Sequence, residues 1–564
     1  MADPKTPWLR NYPSDVPYSI DATNVYENLS DFIDGVCSQN SQRTAFVSFG
    51  ASITFEKFKY KVDCLAAYFQ QKLHVKKGDK LGVILPNLIQ YPIVVFAGIK
   101  CGMQIVNINP LYTSHEMLGI LRDAKIKVVV AFENCNQSLL KVLDQTYLSY
   151  YISCSLGDCF PYFKGMAINF AVRYIKRLVP SYDRSSLLFF NDCIKEGAAY
   201  LESFEKVEMK FDDIAFLQYT GGTTGKPKGA MLSHGNIISN VVQADAMYGP
   251  RLNKGNETIL TALPLYHIFA MTVNLMFAMY VGCTNILILD PRRFPSLIAT
   301  LKKHPDISII TGVNTLFNAF VHYEVFKKVS LPKLRIVIGG GTAVQHGVAD
   351  QFLKASGIPI HEGYGLTECS PLCCVVPYTQ TEFTGTIGVP TPSTLARIVD
   401  TSTGEEIWDP NKPGELEFKG PQVMKGYYDN EVETRNVFDG EWLRTGDIAE
   451  WSENYHIRII DRIKDMIIVS GFNVFPSEIE NVMSHNPKIL ECAVVGMPSN
   501  TTGESIKLYV VRRDWTLTKD EVLEYCRQYL TGYKVPKHIE FVETLPKSAV
   551  GKVMRRYLKQ NRLK

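Results

Sequence analysis

Between Arg43 and Phe132, short apolar runs such as LGVILPN and KVVVAF alternate with longer amphipathic stretches such as FEKFKYKVDCLAAYFQQKL. That rhythm predicts βαβ units and a doubly wound, largely parallel sheet. The pattern resumes at Ile214 with IAFLQY and continues through ETILTALPL, ISIITGV and LRIVIGGG, each running into a loop of Gly, Pro or polar residues. In such folds, sites form at the strand ends. From Pro413 the text turns to short periods and turn residues (PGELEFKG, GEWLRTGDIAEWSENYHIRIIDR), predicting a small β-rich module and then an α+β segment. The fold class is therefore α/β. A large N-terminal domain of doubly wound, mostly parallel sheets with the β-rich module spans residues 1–463, and a small α+β C-terminal domain spans 464–564. Residues 149–204 read as an insertion between the two halves of the large domain.

A chain of 564 residues exceeds what one core usually supports, in line with that division. A net charge of +3 gives no nucleic-acid signature, so no nucleic-acid partner is expected. Thirteen cysteines, scattered without paired metal-ligand spacing, suggest neither a disulfide framework nor a zinc site, and point to a reducing cytoplasm. The start, MADPKTPWLRNYPSDVP, lacks the apolar core of a secretory signal, and the end, NRLK, is not a peroxisomal tripeptide. Ile268 to Leu289 is long enough to span a bilayer but carries Thr272, Asn274, Gly282, Thr284 and Asn285. A buried helix, a break at Gly282 and a buried strand are expected there instead.

After the strand IAFLQY comes a loop of glycines, threonines and lysines: Thr220, Gly221, Gly222, Thr223, Thr224, Gly225, Lys226, Pro227 and Lys228. Glycines let backbone N–H groups approach phosphate oxygens, threonines add hydroxyl donors, and lysines place charge against a polyanion. It is not a Walker loop, because only three residues separate Gly221 from Gly225 and Pro227 stands where the magnesium-binding hydroxyl would be.

This loop resembles the phosphate-binding signature of the adenylate-forming superfamily of acyl-CoA synthetases, luciferases and peptide-synthetase adenylation domains. Six further signatures follow in order: PLYHIFA from Pro264, GGGTA from Gly339, EGYGLTE from Glu362, WLRTGD from Trp442, DRIKD from Asp461, and Gly551-Lys552. Within the superfamily, QYTGGTTGKPKGAML, GPQVMKGYY, KDMIIVSGFNVFPSEIE and LTGYKVPK are most similar to bacterial long-chain fatty acyl-CoA synthetases, along nearly the whole chain. The resemblance implies ligation of a fatty acid to coenzyme A through an acyl-AMP, with ATP and Mg²⁺. A less favoured alternative passes the acyl group to a carrier protein or another acceptor.

It also implies roles. The Thr220–Lys228 loop would hold the β- and γ-phosphates, Thr367 the α-phosphate and Glu368 the Mg²⁺, a hard cation suited to oxygen ligands. Gly340, Gly341 and Thr342 would edge the adenine, Tyr364 would stack on it, and Glu362 and Gly365 would flank it. Asp447 would accept the ribose hydroxyls, with Arg462 nearby. His267 is expected beside the carboxylate, without general-base work, because a fatty acid is already ionised at pH 7. Tyr266, Met271 and Val313 would line the acyl pocket, Met271 standing where some relatives carry a tryptophan gate. Lys552 would bridge acyl carboxylate and α-phosphate during adenylation. The C-terminal domain would then rotate about Lys464, so that Gly471 and Phe472 help form the coenzyme A tunnel. Ile468, where luciferases carry a lysine, argues against luciferase chemistry.

Ala167 to Val179 (AINFAVRYIKRLV), plotted as a helix, groups Ile168, Ala171, Val172, Tyr174, Ile175, Leu178 and Val179 opposite Asn169, Arg173, Lys176 and Arg177. A basic amphipathic helix of this kind either packs on its own domain or lies on anionic lipid at the inner face of the cell membrane. Chain-length preference and oligomeric state, a homodimer included, stay open at this level.

Overall fold

The computed structural model describes residues 5–220, 227–470, 472–499, 501–548 and 551–560. Among these, the large N-terminal body is built on two sheets. In the first, Lys80–Ile84 lies between Gln104–Asn107 and Val128–Phe132 in parallel register, and Tyr150–Cys154 and Leu188–Phe189 extend it on one side. On the other side Ile214–Thr220 joins in parallel and pairs antiparallel with Lys228–Ser233. Every residue of Val128–Phe132 is buried, as a run apolar on both faces requires.

Helix Phe55–Gln71 shows how the sheets are covered. Thr54 caps it by accepting from the Lys57 amide, and Phe58, Val62, Leu65 and Phe69 form a buried stripe, each contributing about 1.5–3 kcal/mol. Gly197, at the end of helix Phe190–Gly197, lies against the Cys64 backbone of helix Phe55–Gln71. Residues 149–204 are thus not a simple insertion. Their first and last parts belong to the sheet and its cover, and only residues 155–187 form an excursion.

The second sheet runs in parallel through His361–Gly365, Ile336–Gly340, Ile309–Gly312, Thr258–Thr261, Thr284–Leu287 and Thr44–Ser48, with antiparallel strands at both edges. The apolar run from Ile268 forms the buried helical stretch Ala270–Tyr280, turns at Gly282 and returns as Thr284–Leu287. Its polar groups are satisfied within the domain. Asn274 accepts from Thr311 at 2.9 Å and donates to Thr261 at 3.2 Å, and Thr272 donates to the Ser370 carbonyl at 2.5 Å. Among the described residues, no helix is long and apolar enough to cross a membrane.

The β-rich module is antiparallel: Leu395–Val399, Gly414–Lys419, Trp442–Trp451 and Ile457–Arg462 pair in succession. Sheet membership changes after Arg462, through the turn Ile463–Asp465. The C-terminal sheet then begins with Ile467–Val469, has the long hairpin of Ile489–Ser499 and Gly503–Arg512 at its centre, and carries helix Pro476–Ser484. This is the element order expected from Pro413 onward.

Candidate active site

Strand ends of both sheets, the β-rich module and the C-terminal domain converge on a cavity of about 710 Å³. Its polar lining comes from Thr220, Lys228, Gly341, Tyr364, Thr367, Glu368 and Arg462 of the large domain and from Lys464 and Lys552 of the C-terminal domain. Its apolar lining includes Tyr248, Ile268, Phe269, Val273, Phe277 and Val375. The polar lining suits a polyanion and the apolar lining a hydrocarbon.

Among the polar residues, Tyr364 donates its hydroxyl to Asp447 Oδ2 at 2.6 Å, and Arg462 Nε lies 2.9 Å from Asp447 Oδ1. Asp447 is buried, 2% exposed, at a turn wired by three bonds: its amide donates to Thr445 Oγ1, the Thr445 hydroxyl to the Leu416 carbonyl, and the Gly446 amide to Glu415. Glu368 accepts from the Tyr427 hydroxyl at 2.7 Å. Lys228, first residue of its strand, is ion-paired with Glu433 and lies over the Tyr427 ring. Segment 427–433 reaches the site because the Tyr428 amide donates to the Gly229 carbonyl, which lays it along that strand.

Lys552 is held beside Ser548. The Gly551 amide donates to the Ser548 carbonyl, the Lys552 amide to Ser548 Oγ, and Lys547 bridges Val553. Gly551 has φ +76°, and a Cβ there would lie 2.7 Å from Thr315 Oγ1, so only glycine lets the loop dock at this depth. Burial, reinforced by Arg462, pulls the Lys552 ammonium down to about 8 against the opposing effect of Asp447. Lys464, on the same wall, is lowered by burial and by Arg462. His267 falls to about 4, chiefly by burial and then by the Lys552 charge, so its ring is neutral. The Phe269 amide donates to His267 Nδ1 at 3.4 Å, which leaves Nε2 as the N–H. Across the domain boundary, Ser477 donates its amide and hydroxyl to Asp461, each at 2.8 Å, while within the C-terminal domain Arg555 spans Glu480 and Asp465. These bonds hold the C-terminal domain with Lys552 inside the cavity.

The structure thus brings together Thr220, Lys228, His267, Gly341, Tyr364, Gly365, Thr367, Glu368, Arg462, Lys464 and Lys552, with Asp447 bonded to two of them. Other expected residues sit elsewhere. Glu362 is buried and accepts from the Val344 amide at 2.9 Å; burial pushes its carboxyl up to about 7, so it shapes the Gly340–Val344 loop from within. Gly340 packs between the Gly363 carbonyl and the Phe269 ring, and Thr342 is half-buried farther along the loop. Met271 is wholly buried, Tyr266 is half-buried with its carbonyl held by Gln218, and Val313 packs beside Gly551. None of the three is on the apolar wall, which is built from Tyr248, Val273, Phe277 and Val375 instead. Phe472 is exposed on the C-terminal sheet, stacked on Tyr533. Gly221, Gly222, Thr223, Thr224, Gly225, Lys226 and Gly471 lie outside the described residues. Sequence reasoning missed Tyr427 and Glu433. Tyr427 stood in GPQVMKGYY without a role, and Glu433 becomes relevant only through its placement against Lys228.

Comparison with known proteins agrees with this geometry. The AMP-binding enzyme family profile matches residues 33–428, and the AMP-binding enzyme C-terminal domain profile matches residues 478–552. A long-chain-fatty-acid–CoA ligase of Escherichia coli is 45% identical over 98% of both chains. One of Bacillus subtilis is 34% identical over 98% of this chain and 97% of its own. Among solved structures, an anthranilate CoA ligase in complex with anthranoyl-AMP superposes with a TM-score of 0.83 at 23% identity, covering 96% of this chain and 99% of that one. ATP-bound MatB from Rhodopseudomonas palustris gives 0.81 at 24% identity, with 95% and 99% covered. At these identities the two structures speak to the fold.

Proposed function

The chain belongs to the AMP-binding enzyme family, and from that premise we infer that it is a long-chain fatty acyl-CoA synthetase, converting fatty acid, ATP and coenzyme A to acyl-CoA, AMP and pyrophosphate. The observation that carries this reading is one cavity lined both by cations from the two domains and by a set of apolar side chains.

A carboxylate cannot expel oxide, so the first step makes a better leaving group. A fatty carboxylate oxygen attacks the α-phosphorus, the bond to the bridging oxygen breaks, and pyrophosphate leaves; the coenzyme A thiolate then attacks the acyl carbon and AMP leaves. Both steps move negative charge, and preorganised cations stabilise it. In this reading Lys552 bridges carboxylate and α-phosphate, Lys228 meets the outer phosphates, and Thr367 donates to the α-phosphate. Tyr364 and Asp447 form the adenosine end, with Arg462 beside the ribose. Neutral His267 offers its Nε2–H to the carboxylate. The enzyme uses Mg²⁺. The donors present fit it: Glu368 is a hard carboxylate on the cavity wall with the hydroxyls of Thr220 and Thr367, and Mg²⁺ takes one or two carboxylates plus phosphates and waters. When bound it would neutralise phosphate charge.

Thioester formation needs Lys552 withdrawn. We assign that step to rotation of residues 464–564 about Lys464, which would bring Phe472 toward the site. A further part of the proposal is peripheral contact with an anionic membrane at the cell's inner face, because long-chain fatty acids partition into bilayers.

The test is a product assay with palmitate, ATP and coenzyme A. Palmitoyl-CoA with equimolar AMP is expected, and kcat/KM should fall as the chain shortens, by up to about fifteenfold per two methylenes at ~0.8 kcal/mol each. ADP as product, or acetate used better than palmitate, would contradict the reading.

A further inference from the structure

The excursion between Cys154 and Leu187 carries a surface that the reaction does not use. It forms helix Tyr162–Phe170, continued by a wider turn through Ala171–Ile175, so it starts five residues before the expected helix. It is also not arranged as a packed helix with a solvated basic side would be. Arg173, expected on a solvated basic face, turns inward to Glu133, which is wholly buried, at 2.7 Å, and to Ser155 Oγ at 2.7 Å. Asn169 turns inward too, accepting from the Gly157 amide at 2.7 Å. Gly165 rests against Gly157, where a Cβ would lie 2.4 Å from the carbonyl oxygen. The polar side of the helix is its anchor.

Its apolar side is outermost. Tyr162, Phe163, Met166, Phe170, Tyr174 and Ile175 are between 55% and 83% exposed, and the rings touch one another, Tyr162 on Phe163 and Phe170 on Tyr174. Single exposed apolar residues are ordinary; a contiguous set held outward by a buried ion pair marks a contact surface. Charge identifies what it contacts. From Cys159 to Tyr182 there is no Asp or Glu, while Lys164, Lys176 and Arg177 are exposed around the aromatic patch.

We propose that this aromatic face, ringed by Lys164, Lys176 and Arg177, is the surface that seats the protein on an anionic lipid bilayer, the rings entering the interface and the cations meeting lipid phosphate. The assignment rests on the fatty-acid reading above and adds the place of contact. Because Arg173 and Asn169 fix the helix from behind, the face is presented without refolding.

The experiment measures binding of the full chain to vesicles of equal parts phosphatidylcholine and phosphatidylglycerol, and of phosphatidylcholine alone. The parent should bind the anionic vesicles and release in high salt. Combined Phe163→Ser, Phe170→Ser and Ile175→Ser should weaken that binding by more than about tenfold, with turnover on detergent-dispersed palmitate and thermal unfolding as in the parent. Lys164→Gln, Lys176→Gln and Arg177→Gln together should weaken binding to the anionic vesicles only. Phe163→Trp alone should show blue-shifted emission on adding vesicles. Parental binding by the serine variant would overturn this face while leaving membrane contact intact. No vesicle binding by the parent would overturn both. A parental dimer that the serine variant dissolves, with vesicle binding unchanged, would assign the face to self-association and overturn the proposal.

Discussion

The hydroxyl of Tyr364 and the carboxylate of Asp447, 83 residues apart in sequence, meet at 2.6 Å and join the end of the second sheet to the β-rich module. The bond leaves Asp447 poised between Tyr364 and Arg462, the two groups nearest the place proposed for adenosine.

Tyr364→Phe keeps the ring and loses that hydrogen bond. A bond to a charged group is worth about 1.5–3 kcal/mol, but the freed Asp447 oxygen keeps Arg462 close by, so kcat/KM for ATP should fall by no more than about tenfold. Asp447→Ala should cost about 10²- to 10³-fold. Steady-state kinetics with ATP varied separate the two; equal losses would contradict the division of labour.

Lys228 is held by Glu433 before any phosphate arrives. A triphosphate must displace that carboxylate, so Glu433→Gln should tighten apparent ATP binding by roughly two- to fivefold, the range of a partly exposed ion pair. Calorimetric titration of ATP checks this, and weaker binding would show that Glu433 instead positions Lys228 for the phosphates.

Lys552 is charged below about pH 8 in the ligand-free enzyme and loses its charge above it. The adenylation half-reaction, followed as pyrophosphate exchange at low substrate, should therefore fall as pH rises past 8. Lys552→Arg stays charged throughout, so its profile, at a lower ceiling, should stay flat there.

Glu362 bears on stability. Its native pKa, near 7, is above that of the unfolded chain, so the folded state binds the extra proton and stability falls as pH rises from about 4.5 to about 7. Glu362→Gln still accepts from the Val344 amide without that loss. Relative to the parent, its melting temperature should be more favourable at pH 8 than at pH 5; a difference independent of pH would mean that Glu362 is not titrating in the fold.

Much of this was legible because strand rhythm and local motifs are short-range properties. The apolar strand runs and the turn at Gly282 lay where the sequence indicated, and residues of WLRTGD and YGLTE line one cavity. Glu362 was misread because its motif is on the cavity wall while its side chain points beneath the neighbouring loop, which sequence order does not encode. The helix near Arg173 does not pack with its basic side solvated, one of the two arrangements that the sequence left open. Periodicity separates two faces without saying which is solvated, and the buried Glu133, 40 residues away, decided it. Met271 is two residues from the cavity-lining Val273, and the wider helical turn through Ala270–Phe277 changes which side chains face inward.

The most direct test of the account is Lys552→Ala, assayed separately in each half-reaction. Lys552 is inside the cavity in the arrangement seen here and is assigned to adenylation alone, so pyrophosphate exchange should fall by about 10²- to 10³-fold or more. Single-turnover conversion of synthetic palmitoyl-AMP and coenzyme A to palmitoyl-CoA should stay near the parental rate. Equal loss of both half-reactions in a folded variant would contradict the two-position mechanism.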